Sequence, residues 1–195
     1  MQYSVEFSMN YLTTITKQIL LANKDGVSKV KLAKMIYFVH KGLVQKKLAK
    51  SEDLKFIRMP LGPVPVGFQE LSKDSEIRIS EENNALEFNK QLYSLAKVDK
   101  SLMKNNYDVI ESLVDDLKSL STSTLVGHSH NEPSWKKLRN GTEYFLGSED
   151  ISRPLPKRSD KAVSNLEDQK LQSKLVSGLT DDIVEESSKL EYPKD

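Results

Sequence analysis

The chain has 195 residues, 37% hydrophobic and 29% charged, with a formal net charge of +1, which suits one soluble globular domain plus a tail and leaves room for one poorly ordered segment. Zero cysteines exclude disulfides, thiolate zinc sites and cysteine nucleophiles together. No run reaches the ~18 to 20 apolar residues of a membrane helix and the first six residues lack a signal-peptide layout, so a cytoplasmic location is expected.

Phe7, Tyr11, Leu12, Ile15, Ile19 and Leu20 recur at helical spacing and predict a helix over 7–20 that stops at Asn23-Lys24-Asp25-Gly26. Ser28 is placed to cap a second helix over 28–46, with Val27 and Leu32 as a hydrophobic staple. Its stripe is Leu32, Met35, Ile36, Val39 and Leu43, and Lys34 and Lys41 are expected on the opposite side. Tyr37, Phe38 and Val44 widen the apolar surface, which predicts a helix central to the core. At its edge, His40 is expected to be partly buried with a local hydrogen bond.

Leu54 to Met59 reads as a short strand or extended arm. Prolines at 60, 63 and 65 then stiffen the connector Leu61-Gly62-Pro63-Val64-Pro65, and Pro65 can open a short helix carrying Phe68 and Leu71. Ile77-Arg78-Ile79 and Leu86-Glu87-Phe88 alternate around Glu82-Asn83-Asn84 and predict a small hairpin turning there. Leu102, Val109, Ile110, Leu113, Val114 and Leu117 predict an amphipathic helix over 101–118. Ser121 or Thr122 then caps a short helix through Leu125 and Val126, and Pro133-Ser134 starts another at Trp135.

From Gly147 the texture changes, and Arg153-Pro154-Leu155-Pro156-Lys157-Arg158-Ser159-Asp160 reads as a linker. Beyond it Ser164 to Glu167 matches a capping box, Leu171, Leu175, Val176 and Leu179 make a thin apolar stripe, and Thr180 can start another helix. The expected fold is mainly α. It comprises a compact helical domain over 1–147 with a small β-hairpin or short sheet, then a linker and a helical or partly disordered amphipathic tail over 148–195.

His128-x-His130-x-Glu132 is the one candidate metal or acid/base cluster, since on a strand this spacing would set all three side chains on one face. Gly127, Asn131 and Pro133 argue instead for a turn in which a histidine satisfies backbone groups at a helix end and Trp135 uses its indole N–H locally. No phosphate loop or serine-nucleophile motif accompanies it, and adjacent carboxylates such as Asp115-Asp116 point apart on a helix. The residues therefore predict no catalytic, cofactor-binding or metal site.

Three separated motifs, Lys31-Leu32-Ala33-Lys34-Met35-Ile36-Tyr37-Phe38, Leu61-Gly62-Pro63-Val64 and Gly127-His128-Ser129-His130-Asn131-Glu132-Pro133-Ser134-Trp135, stand in this order. Together they resemble the Panacea domain, the SocA-like or GepA-like phage-associated family, over roughly residues 10 to 140. The resemblance implies that Lys31, Leu32, Lys34, Tyr37, Gly62, Pro63, Val64, His130, Glu132 and Trp135 form one region that binds a partner or maintains the fold. It also implies an antitoxin of a toxin–antitoxin system, not an enzyme, which neutralises a cognate toxin by direct protein binding or delivers it to a protease as an adaptor.

A charge asymmetry keeps another class open. Residues 1–60 carry 11 Lys/Arg against 4 Asp/Glu, whereas residues 61–195 carry 18 against 24. A basic front suits a nucleic-acid-associated regulator or another phage-associated role, and equally a solvated lysine-rich helix face. A third reading is a hydrolase using His128, His130 and Glu132.

Overall fold

The computed structural model describes residues 2–84 and 87–160, with side chains for 9–81 and 91–160. Helix α1 spans Gln2–Ala22 and α2 spans Lys29–Gln45. Between them, Gly26 holds φ +75 and the Asn23 side-chain amide donates to its carbonyl at 3.1 Å, so the polar run closes α1 as its composition requires. Ser28 caps α2 by backbone conformation alone, without a side-chain bond.

Every residue of α2 from Leu32 to Leu43 is buried, so it is the central helix that its wide apolar surface predicted. α1 contributes Leu12, Ile15 and Ile19 to the same core. Two small antiparallel sheets flank it. In the first, β5 (Glu87–Leu95) lies between β1 (Val27–Ser28) and β4 (Ile77–Asn84). In the second, β2 (Phe56–Ile57) lies between β3 (Val64–Pro65) and β6 (Glu143–Tyr144). The remaining helices are α3 (Tyr107–Lys118), α4 (Thr122–His130), α5 (Pro133–Lys137) and α6 (Ser148–Ser152). The fold is mainly helical with a small β component, as expected.

Several local expectations are corrected. Asn84 pairs with Glu87, so the hairpin turns two residues beyond the predicted point; the irregularity between Glu82 and Asn84 absorbs the polar run inside β4. Pro65 belongs to β3, and the following turn of 3-10 helix starts only at Phe68. The helix predicted over 101–118 begins at Tyr107, because Asn105 and Asn106 adopt φ of 51 and 68 and interrupt it. Helix α4 continues through both histidines to His130, where a turn had been expected.

The stretch 148–160, read as the opening of the tail, carries packed side chains. Asp150 is fully buried, and the Gln45 side-chain amide donates to the carbonyls of Ile151 and Arg153, each at 2.7 Å. Ile151 and Leu155 also pack against the core, and periodicity is blind to a segment held by so few apolar residues together with these polar bonds. The described part of the first compact unit runs to Asp160. The predicted tail elements, from the capping box at Ser164 to the start at Thr180, lie outside the described residues.

Candidate functional site

Lys34, Tyr37 and Lys41 recur at i, i+3 and i+7, which puts them on one face of α2. That face is not solvated. Lys34 is 1% exposed and Lys41 0%, contrary to the expected placement, because the Gly62-Pro63 turn and the α4–α6 segment cover it. The charge of a buried lysine must then be matched or removed.

Lys41 is matched. Its Nζ contacts both Glu132 oxygens at 2.8 Å. Glu132 is buried at the N-cap of α5. Burial pushes the Lys41 ammonium down and the Glu132 carboxyl up, while the bond between them draws each back toward its charged form. The buried hydroxyls of Tyr37 and Tyr144 lie beside this pair, Tyr37 close to both Glu132 and Tyr144. Burial raises the pKa of both tyrosines, and the nearby charges of Glu132 and Asp150 add to it. Tyr37 also packs edge-on against Phe56, with ring centres 5.0 Å apart.

Asp150 completes the carboxylate side of this region. It accepts from the backbone N–H groups of Ser134 and Gly147, each at 2.9 Å, and from the Ser134 hydroxyl. One buried carboxylate thereby joins the start of α5 to the start of α6.

Lys34 meets a backbone carbonyl in place of a carboxylate. Its Nζ donates to the Pro63 carbonyl at 2.6 Å, and burial pulls its pKa down from 10.5 to about 7. Gly62 makes the approach possible. It sits at φ +94, and a Cβ there would stand 2.2 Å from Ser129 Oγ and 2.9 Å from Lys34 Cε. The three sequence motifs thus meet at Gly62: Lys34 from α2, the turn itself and Ser129 from α4.

A pH dependence follows from Lys34. Between pH 7 and about 10 the unfolded chain binds a proton on this side chain that the folded chain does not, so stability contributed here rises with pH. The expected slope is about 1.4 kcal/mol per pH unit within that window. Lys34→Met, of similar volume, should fold and lose this increment, so denaturant melts of the two proteins at pH 7, 8.5 and 10 should converge as pH rises. Parallel curves would show that Lys34 stays charged.

Trp135 ties the second and third motifs from outside. Its indole N–H donates to the Met59 carbonyl at 2.9 Å, far along the chain, and not locally as expected. The Arg58 guanidinium lies 4.0 Å from the Trp135 ring centre, and His130 stacks on the ring at 3.9 Å with planes 15° apart. The ring is only half-buried. Trp135→Ala should therefore cost about 2 to 4 kcal/mol, toward or below the low end of a fully buried tryptophan. Thermal unfolding would measure it.

The other candidate residues pack within the domain or bond to its backbone. Lys31 is half-exposed and donates to the Lys118 carbonyl at 2.8 Å, joining α2 to the end of α3. Leu32 is in the core, Pro63 is buried and Val64 pairs with Ile57 across β2 and β3. His40 is fully buried, and its hydrogen bond goes to the Tyr11 hydroxyl on α1 at 3.0 Å, so it is neither partial nor local. Burial lowers its pKa to about 4.

His128, His130 and Glu132 do not converge. Residues two apart on a helix point to opposite sides, so His128 faces Asp160 at 3.5 Å while His130 faces Trp135, and Glu132 is held by Lys41. Among the described residues no group of three or more His, Asp or Glu is arranged to hold a metal ion. Reasoning from sequence missed Lys41, Ser129 and Asp150. The Lys34-Tyr37-Lys41 spacing was the available signal for the first.

The family model for "Antitoxin SocA-like, Panacea domain" matches residues 32–136, more than half of the chain. The chain belongs to this Panacea-domain family. Comparison with curated proteins and with solved structures gives no match. The matched span of the Panacea domain runs from Leu32 to Lys136 and so contains Lys34, Tyr37, Lys41, Gly62, Ser129 and Glu132, while Tyr144 and Asp150 lie beyond it. Membership supports an antitoxin role. Among the described residues no helix is long and apolar enough to cross a membrane.

Proposed function

We propose that this protein neutralises a cognate toxin by binding it directly, and that the motif residues act as the internal frame of the binding domain. Membership of the antitoxin family carries the reading. The geometry supports it, because Lys34, Tyr37, Lys41 and Glu132 are turned into the protein, where Lys34 donates to the backbone and Lys41 pairs with Glu132.

The same burial weakens the nucleic-acid alternative. Of the basic residues in the first 60, Lys34 and Lys41 are internal, Lys17 pairs with Asp74, Lys55 pairs with Glu143, and Arg58 lies on Trp135. Phosphate binding needs solvent-facing cations in a continuous patch, and the six that remain fall into two groups at opposite ends of α2, Lys24, Lys29 and Lys31 at its start and Lys46, Lys47 and Lys50 past its end.

The test is co-expression with the product of the neighbouring reading frame. Growth should stop when the neighbour is expressed alone and recover when both are made. Toxin levels measured alongside separate direct blocking, where the level holds, from delivery to a protease, where it falls. A neighbour that is harmless, or harmful regardless of this protein, would sink the reading. A chain ending at Asp160 keeps Asp150, and comparing its protection with that of the full chain tests whether residues 161–195 help to bind the toxin.

A further inference from the structure

Helix α3 turns Tyr107, Ile110, Val114 and Leu117 into the core. Val109 and Leu113, one turn apart on its adjoining face, are only half-covered by the rest of the domain. They form the floor of an open groove of about 570 Å³ between α3, the C-terminal end of α2 and residues 155–157. Gly42 on α2 sets its depth. A Cβ at that position would stand 2.8 Å from Leu113 and 3.0 Å from Leu155, so glycine lets both leucines settle against α2.

The two rims carry opposite charge. Asp108, Ser112 and Asp116 repeat every four residues along α3 and are exposed, which makes one straight acidic edge. Lys46 and Lys157, also exposed, stand on the other rim. Among the described residues no salt bridge engages any of these four charged side chains.

We propose that this groove docks an amphipathic helix of the toxin. Its apolar face seats on Val109 and Leu113, basic side chains on one flank meet Asp108 and Asp116, and acidic ones on the other meet Lys46 and Lys157. The toxin as the source of the helix rests on the function proposed above; the fit of groove to helix does not. A helix suits the site because rows spaced by four residues on α3 interleave with matching rows on a second helix. An added strand would need an open sheet edge, and these walls are two helices and a segment containing Pro156. The aspartate rim repels phosphate, so a nucleic acid does not fit. Desolvation of the floor supplies affinity, and the opposed rims select the partner.

The test uses the full chain and two probes. The first is a set of labelled synthetic helical peptides of about 18 residues sharing one leucine stripe, flanked by a lysine row and a glutamate row, by two lysine rows, or by two glutamate rows. The mixed peptide should bind most tightly, by about tenfold over either other. Asp108→Lys with Asp116→Lys alters only exposed positions, so circular dichroism and melting should be unchanged while the preference moves to the doubly acidic peptide. Equal binding of all three peptides, or an unmoved preference in the variant, overturns the proposal.

The second probe is the product of the neighbouring reading frame. The same variant should bind it about tenfold more weakly and protect growth less. If the original chain neutralises the neighbour and the variant does so equally well, the groove proposal fails and the antitoxin reading stands. If the original chain does not neutralise while the peptide preferences hold, the antitoxin reading fails and the groove remains a helix-docking site. A variant that loses only self-association in sedimentation would assign the groove to a second copy of this chain, and the proposal would fall.

Discussion

Glu132→Ala should destabilise the domain by about 3 to 5 kcal/mol, the usual consequence of leaving one member of a buried ion pair without its partner. Lys41 Nζ loses both of its 2.8 Å carboxylate contacts and stays inside, 0% exposed. For a chain of this size that corresponds to a fall in Tm of about 10 °C. Lys41→Met combined with Glu132→Leu should recover most of the loss, since a buried pair replaced by apolar residues of similar volume is often neutral or better. A single substitution costing under ~1 kcal/mol, the range of an exposed pair, would mean that water reaches this site.

Gly62→Ala should cost ~2 to 6 kcal/mol, the sum of two independent penalties. One is the φ of +94, which an L side chain adopts only with strain of about 1 to 3 kcal/mol. The other is the new methyl, placed 2.2 Å from Ser129 Oγ and 2.9 Å from Lys34 Cε in a closed interior, worth another ~1 to 3 kcal/mol. Gly141→Ala supplies the internal comparison. Gly141 has a similar φ of +80 and nothing within 4 Å of the added Cβ, so it should show the backbone term alone. Denaturant unfolding should rank Gly62→Ala well below Gly141→Ala. Adding Ser129→Ala to Gly62→Ala should return part of the difference; no return would show that the crowding lies elsewhere.

The helices were legible because their stabilising residues repeat. Leu12, Ile15 and Ile19 mark α1, and the apolar breadth of α2 marks its central place before any contact is known. The three motifs were visible as sequence, but the region that they build was not. Periodicity treats lysine as polar and assigns it to water, so Lys34 and Lys41 were placed on the outside. Their actual environment depends on Pro63, 29 residues from Lys34, and on Glu132, 91 residues from Lys41. Asp150 is hidden for the same reason, as its partners are the backbone N–H groups of Ser134 and Gly147, which sequence pattern does not display. The tryptophan bond to the Met59 carbonyl is another long-range choice that local reasoning could only make local.

On the function proposed above, the buried motif residues hold the fold and the partner is met by surfaces such as the α3 groove. The direct measurement is neutralisation of the neighbouring toxin by the Lys41→Met, Glu132→Leu variant, after circular dichroism and melting show that it is folded. On this account the variant lacks the central charged pair of the buried frame yet binds the toxin and restores growth as the original chain does. A folded variant that no longer binds or protects would show instead that Lys41 and Glu132 act on the toxin, and that the frame described here is the binding site itself.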